Sequence, residues 1–282
     1  MRSKLFVPGG RPELFPKALA GAADALSFDL EDSVTAECKD EARRLVADYV
    51  RSDVLIDAAK VIIVRTNAPG TPWFEDDVRA VMQRGVTLIN LPKVESAEDL
   101  DAAVAVIERA EAHNGLQRPI GLLINIETPK ALANAAAIAR AHPRVAGLQL
   151  GLADLFESRG IDRHDRDNVH AAMFAVRMAA AQADVFALDG AFADIEDDAG
   201  YSTEAGMAHR LGFIGKTCVH PRQVALANAA FAVSESELAA ALRIVNAAQE
   251  AKDQGRGAFV VDGRMVDLPM LKRAQALIAS SK

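Results

Sequence analysis

Residues 119–130, PIGLLINIETPK, pass from an apolar run to a lone carboxylate, Glu127, and then to Thr128 and Pro129. A short run apolar at nearly every position reads as a strand buried on both faces. Thr128 followed by Pro129 reads as a helix start, a hydroxyl cap and then a proline whose missing N–H costs nothing in the first turn. Residues 147–156, GLQLGLADLF, repeat the pattern and deliver Asp154. One strand–acid–helix unit therefore follows another.

The same alternation extends in both directions. Strand-like runs are KLFV from Lys4, ALSFD to Asp29, VIIVR to Arg65, TLINL to Leu91, IGLLINIE to Glu127, GLQLG to Gly151, VFALD to Asp189 and GKTCVH to His220. Between them lie segments such as 36–50, 96–112 and 167–183, rich in Ala, Leu, Arg and Glu, with apolar residues every three or four positions. That spacing predicts amphipathic helices. Eight such units predict an α/β protein, a (β/α)8 TIM barrel over residues 1–230, with a C-terminal helical extension over 231–282 packing on it. A doubly wound open sheet is the alternative. Neither G-x-G-x-x-G nor G-x-x-x-x-G-K-[ST] follows the first strand, where VPGGRPELF has adjacent glycines.

The 282 residues, 50% hydrophobic and 25% charged, suffice for a large core and exclude general disorder. A net charge of -7 argues against a nucleic-acid partner. No run of about 18 uncharged apolar residues predicts a membrane span, and the early first strand leaves no room for a leader, so a soluble cytoplasmic protein is expected. Cys38 and Cys218 lack zinc-site spacing.

In a barrel, chemistry gathers where strands end and helices begin. The residues expected there are Asp29, Glu31 and Asp32; Arg65 and Asn67; Lys93 and Glu95; Glu127; Asp154; Asp189 and Asp194; and Lys216 with His220. An Asp after a strand ordinarily caps a helix, whereas Glu caps poorly, so Glu127 asks for another explanation. Glu127 and Asp154, from successive strands, supply hard oxygen donors of the kind Mg2+ takes, with water and substrate filling the other positions. Arg65 reads either as the partner of a mouth acid or as a fork for a substrate carboxylate. Of Glu31 and Asp32, one is expected to orient Arg65 or Lys93. Lys93 pairs with Glu95 or joins the site. A Schiff base through Lys93 or Lys216 stays open, although neighbouring acids favour the protonated amine.

The ordered set RSKLFVPG (from Arg2), FDLEDSV (Phe28), VRTN (Val64), LPKVES (Leu91), IET (Ile126), GLADL (Gly151), GKTCVHPRQV (Gly215) and VDGRMVDLPMLKRA (Val261) resembles the citrate lyase beta-subunit-like family of HpcH/HpaI aldolase/citrate lyase proteins. That family includes citryl-CoA, malyl-CoA and citramalyl-CoA lyases. The resemblance implies Mg2+ on Glu127 and Asp154, with Arg65 binding the keto-acid or enolate oxygens and Glu31 supporting that site; Glu127 and Lys93, at neighbouring strand ends, are expected to contact the substrate beside Arg65. It also implies a proton-transferring Asp267 contributed to a neighbouring subunit of a homotrimer or hexamer. The implied activity is Mg2+-dependent carbon–carbon cleavage of a 3-hydroxyacyl-CoA. A malyl-CoA thioesterase, a class II-type aldolase on free hydroxy acids and a non-catalytic complex subunit are the alternatives. A basic patch of Arg2, Lys4 and Arg11 at the barrel mouth is the expected seat of the coenzyme A phosphates.

Overall fold

The computed structural model describes residues 1–253 and 258–280. It divides into two compact units, Met1–Phe231 and Ala232–Lys282.

The first unit is an eight-stranded parallel sheet curled into a barrel. Its strands are β1 (Ser3–Pro8), β2 (Ala25–Asp29), β3 (Val61–Arg65), β4 (Leu88–Leu91), β5 (Gly121–Ile126), β6 (Val145–Leu150), β7 (Phe186–Leu188) and β8 (Lys216–Cys218). Each pairs with the next and β8 returns to β1, with Ser3 opposite Lys216. The seam between β7 and β8 is short. Asp189 N donates to Gly215 O at 2.9 Å and Thr217 N to Asp189 O at 3.0 Å, so one bridge closes the ring and the open-sheet alternative is excluded.

Helices return the chain between strands: α1 (Phe15–Ala20), α2 (Lys39–Val50), the short α3 (Asp53–Ile56), α4 (Phe74–Val81), α5 (Ala97–His113), α6 (Pro129–Ala141), the short α7 (Leu152–Phe156), α8 (Arg166–Gln182), α9 (Asp198–Leu211) and α10 (Pro221–Ala230). Thr128 caps α6 as its sequence predicts, its hydroxyl accepting from Ala131 N at 3.1 Å with Pro129 in the first turn. The main core lies between the strands and these helices.

Strand alternation sends every second residue into the barrel, and these residues stack in layers. Ala25, Ile63, Leu88, Leu123 and Leu188 form an apolar plug. A polar layer of Lys4, Asn90, Asn125 and Gln149 is also buried inside. Towards the carboxyl ends of the strands come Asp29, Arg65 and Glu127, which line a cavity of about 420 Å³.

The second unit contains α11 (Glu235–Asp253), the antiparallel pair β9 (Phe259–Val261) and β10 (Arg264–Val266), and α12 (Leu268–Ser280) packed on α11. The extension was expected to be helical; it also holds a hairpin. Asp262 and Gly263 both take positive φ, 49° and 77°, the geometry a two-residue hairpin turn demands and an Asp-Gly pair supplies.

Candidate active site

Arg65 ends β3 beside the end of β2, and register brings Asp29 directly opposite. Its Nε and Nη2 reach the two Asp29 oxygens at 2.6 and 2.8 Å, a planar fork that lysine cannot copy. Nη1 lies 2.7 Å from Glu31 Oε2 and donates to Asp32 Oδ2 at 3.2 Å. All three acids of the DLEDSV stretch, Asp29, Glu31 and Asp32, therefore meet the same guanidinium, where the sequence predicts that one of Glu31 and Asp32 orients Arg65 or Lys93. Burial pushes the Asp29 carboxyl up, but Arg65 outweighs it and holds the group below its ordinary range. Glu31 goes the other way: burial, helped by Asp32, Glu127 and Asp29, pushes it to about 8 against the pull of Arg65.

The second half of the site comes from the ends of β4, β5 and β6. Lys93 adopts φ 54°, a left-handed backbone uncommon outside glycine and costly for a lysine. That conformation points its N–H at Glu127 Oε1, 2.8 Å away. The Lys93 ammonium lies 3.8 Å from the same oxygen and in direct contact with Asp154 Oδ2. Asn125 Nδ2 donates to Glu127 Oε2 at 3.1 Å. Burial raises the Glu127 pKa, with Asp154 adding and Lys93 opposing. The two acids together overcome burial and raise the Lys93 pKa, which keeps it a cation rather than a Schiff-base nucleophile.

This donor set suits a hard divalent cation. Both acids offer carboxylate oxygens, and a cationic group, the Lys93 ammonium, already sits between them. Gly151 leaves open the space beside Glu127: a Cβ there would stand 2.5 Å from Glu127 Cβ and 2.9 Å from Oε2. Two protein carboxylates with water and substrate oxygens make a common arrangement for Mg2+.

Other strand-end residues turn out to hold the frame. Asn67 donates to Asp77, which also takes Arg43. Glu95 accepts from Thr128 Oγ1 at 2.7 Å and pairs with Lys130, not with Lys93. Asp194 accepts from the N–H groups of Glu196 and Asp197, and His220 caps α10. Lys216 is enclosed by Asp189 at 2.6 Å and Glu204 at 2.7 Å, which together hold its amine above the ordinary value against burial. In the second unit, Asp267 caps α12, accepting from Met270 N at 3.1 Å.

The expected basic patch is corrected. Arg2 precedes β1, at the opposite end of the barrel from the site, and forks onto Asp24. Six residues of strand, about 20 Å, separate it from the mouth. Lys4 is fully buried in the barrel. Arg11 alone follows the carboxyl end of β1, where it pairs with Glu13. The roles of Asn125, Gln149, Phe6 and Gly151 at the cavity were missed. Alternation along β5 could have found Asn125, two residues before Glu127 and so on the same face.

Fold and site together define a TIM-barrel enzyme with paired carboxylates and one forked arginine at the carboxyl mouth. The chain belongs to the HpcH/HpaI aldolase/citrate lyase family, whose profile matches residues 2–221. It is 35% identical to L-malyl-CoA/beta-methylmalyl-CoA lyase of Cereibacter sphaeroides, over 100% of this chain and 94% of that protein. It is 34% identical to citrate lyase subunit beta of Leuconostoc mesenteroides, over 98% of this chain and 92% of that one. Among solved structures, CitE from Mycobacterium tuberculosis in complex with magnesium, acetoacetate and coenzyme A superposes with a TM-score of 0.77 at 31% identity, covering 100% of this chain and 99% of that chain. No helix among the described residues is long and apolar enough to cross a membrane.

Proposed function

We propose that the chain is a Mg2+-dependent lyase that cleaves a short 3-hydroxyacyl-CoA of citryl-CoA or malyl-CoA type to a keto acid and acetyl-CoA or a simple homologue. The observation that carries this reading is the pairing of Glu127 and Asp154 around one cationic group, beside an arginine already forked on a carboxylate. Magnesium and coenzyme A in the matched CitE crystal, and the lyase names of the relatives, support it.

Glu127 and Asp154 would hold the ion, which when bound supplies Lewis-acid neutralisation of the substrate's carboxylate and hydroxyl oxygens. Arg65 presents Nη1 to the cavity, where a substrate carboxylate competes with Glu31 and Asp32 for it. Asp29 keeps the guanidinium plane fixed while that exchange occurs. Lys93 and Arg65 together hold positive charge at the mouth, favouring the bound carboxylate. Cleavage breaks the bond between the hydroxyl-bearing carbon and the carbon next to the thioester. The hydroxyl releases its proton to solvent and becomes a carbonyl as the carbon–carbon bond breaks, and the carbon left as an enolate takes one proton, so none is gained or lost overall. We assign that proton to Asp267 of a neighbouring subunit in a homotrimer or hexamer, the barrel of residues 1–230 being served by a partner's 231–282 extension. Arg11 is the member of the expected basic set left to meet a coenzyme A phosphate.

Two measurements test the assignment. Calorimetry with Mg2+ should show binding to the wild-type protein and its loss in Glu127→Ala and Asp154→Ala; unchanged binding in both variants rules out the site. Arg65→Ala and Asp267→Asn should each be inactive alone and regain partial activity when dissociated and reassembled together. No recovery in verified mixed assemblies would remove the shared-site role of Asp267.

A further inference from the structure

A lysine is an expensive residue to place inside a barrel, and Lys4 is wholly buried there, on β1. Its Nζ donates to Gln149 Oε1 at 2.5 Å and to Asn90 Oδ1 at 3.3 Å. Asn90 Nδ2 donates in turn to Asn125 Oδ1 at 2.8 Å and to Leu123 O at 3.0 Å. Asn125 Nδ2 donates to Glu127 Oε2 at 3.1 Å. Four side chains from β1, β4 and β5 thus form one file of hydrogen bonds, all running from Lys4 towards Glu127. The amine also sits 4.0 Å over the Phe6 ring, and Arg65 lies 4.7 Å from that same ring.

The file has a built-in direction. A primary amide has an oxygen that only accepts and a nitrogen that only donates, so each can be turned either way. Burial and Arg65 push the Lys4 amine well below the usual lysine range. Charged or neutral, an amine has at least two hydrogens to give, and here two amide oxygens take them. At the other end an ionised carboxylate only accepts. With a donor at one end and an acceptor at the other, Asn90 and Asn125 each have one orientation that satisfies every bond. Removing the amine leaves Asn90 Oδ1 without its donor, so that Leu123 O alone holds Asn90 against turning, and an Asn125 that turns with it aims an oxygen at Glu127.

We propose that Lys4 is a positioning residue for Glu127, fixing the polarity of the Asn90–Asn125 relay so that the carboxylate always meets a donor from below. The second arm has the same logic. With Gln149 Oε1 held by Lys4, Gln149 has its Nε2 to offer to the cavity it lines. The inference rests on Glu127 as a metal ligand.

Partners of metal ligands, when removed, commonly cost about 10- to 100-fold in metal affinity. Lys4 acts through two amides, so the lower end applies. Mg2+ affinity measured calorimetrically, without turnover, should fall about tenfold in Lys4→Met and similarly in Asn90→Leu. The double variant should lose no more than either single one, because both interrupt one file. Thermal unfolding confirms that each variant is folded, and Asn90→Leu carries the test where Lys4→Met does not fold. A folded variant with lower stability and wild-type Mg2+ affinity overturns the proposal, as do losses that simply add in the double variant. Glu127→Ala separates the two levels: if it keeps wild-type Mg2+ binding, the metal site falls and the inference with it. If Glu127→Ala abolishes binding while Lys4→Met and Asn90→Leu leave it unchanged, only the relay fails.

Discussion

Replacing Gly151 by alanine adds a single methyl group just past the end of β6, beside Glu127. Gly151 has φ -115°, which alanine tolerates, so the effect is steric alone. The new Cβ would lie 2.5 Å from Glu127 Cβ, 2.9 Å from Oε2 and 3.5 Å from Cα. Ordinary carbon contacts begin near 3.5 Å, so one side must yield by about 1 Å. Neither yields freely. Gly151 N is bonded to Ile126 O at 3.0 Å, and Glu127 is held by Lys93 N at 2.8 Å and Asn125 at 3.1 Å. Overpacking of this kind costs about 1–3 kcal/mol, a fall of a few degrees in Tm for a domain of this size. A displacement of about 1 Å in a catalytic ligand costs on the order of 100-fold in rate. Gly151→Ala should therefore fold with slightly reduced stability, bind Mg2+ weakly and lose about two orders of magnitude in kcat/KM. Gly10→Ala, whose Cβ meets nothing within 4 Å, is the control and should behave as wild type. Wild-type Mg2+ affinity and turnover in Gly151→Ala would refute the placement of Glu127.

Three further perturbations probe separate parts of the account. Arg65→Lys keeps the charge but not the fork on Asp29, and the loss of a charge-assisted bond worth about 1.5–3 kcal/mol predicts a 10- to 100-fold lower kcat/KM; steady-state kinetics giving less than a threefold change would contradict the role of the planar group. Glu31 holds a proton in the folded state between its ordinary value of 4.5 and about 8, whereas the unfolded chain has released it. The folded state then binds more protons, so this group's stabilisation is present at acid pH and fades as pH rises through that window. Tm measured across that window should fall less steeply in Glu31→Gln than in wild type, and identical slopes would show that Glu31 titrates normally. Lys216→Met leaves Asp189 and Glu204 buried without their shared ammonium; denaturant unfolding should show a loss of about 3–5 kcal/mol, and a loss below about 1 kcal/mol would mean the cluster is solvated.

What was legible in the sequence follows from what local pattern encodes. Apolar runs ending on a single charged residue place Arg65 and Glu127 at strand ends, because a side chain at the end of a buried strand has only the mouth to occupy, while Asp154 stands four residues past β6 in the short α7. Which of them touch is a matter of register between strands, and so the Asp29 fork and the choice of Lys93 over Glu95 needed the fold. Lys4 misled for a related reason. β1 is covered on both faces, so its sequence does not distinguish the inside of the barrel from the outside, and a lysine near the start of a motif read as surface charge. Arg2 misled because proximity in sequence to Arg11 conceals a strand's length between them. The β9–β10 hairpin carries its signal openly, Asp262-Gly263 between short apolar runs, but these runs are only three residues long and the longer helical stretches on either side dominate the pattern. Asp267 lies beyond spacing arguments altogether: within its own chain it caps a helix, and only the family resemblance marks it for chemistry.

The central claim is that this site breaks a carbon–carbon bond in an acyl-CoA. Its most direct test is a mass-resolved product analysis after incubating the purified protein and Mg2+ with citryl-, malyl-, citramalyl- and 3-hydroxy-3-methylglutaryl-CoA. The account predicts a keto acid and a shorter acyl-CoA in equal amounts from at least one of them, abolished by a chelator and restored by Mg2+. Free coenzyme A beside an intact hydroxy acid would make it a thioesterase, turnover of free hydroxy acids alone would make it an aldolase, and no conversion of any substrate would leave a non-catalytic subunit; each of these contradicts the claim.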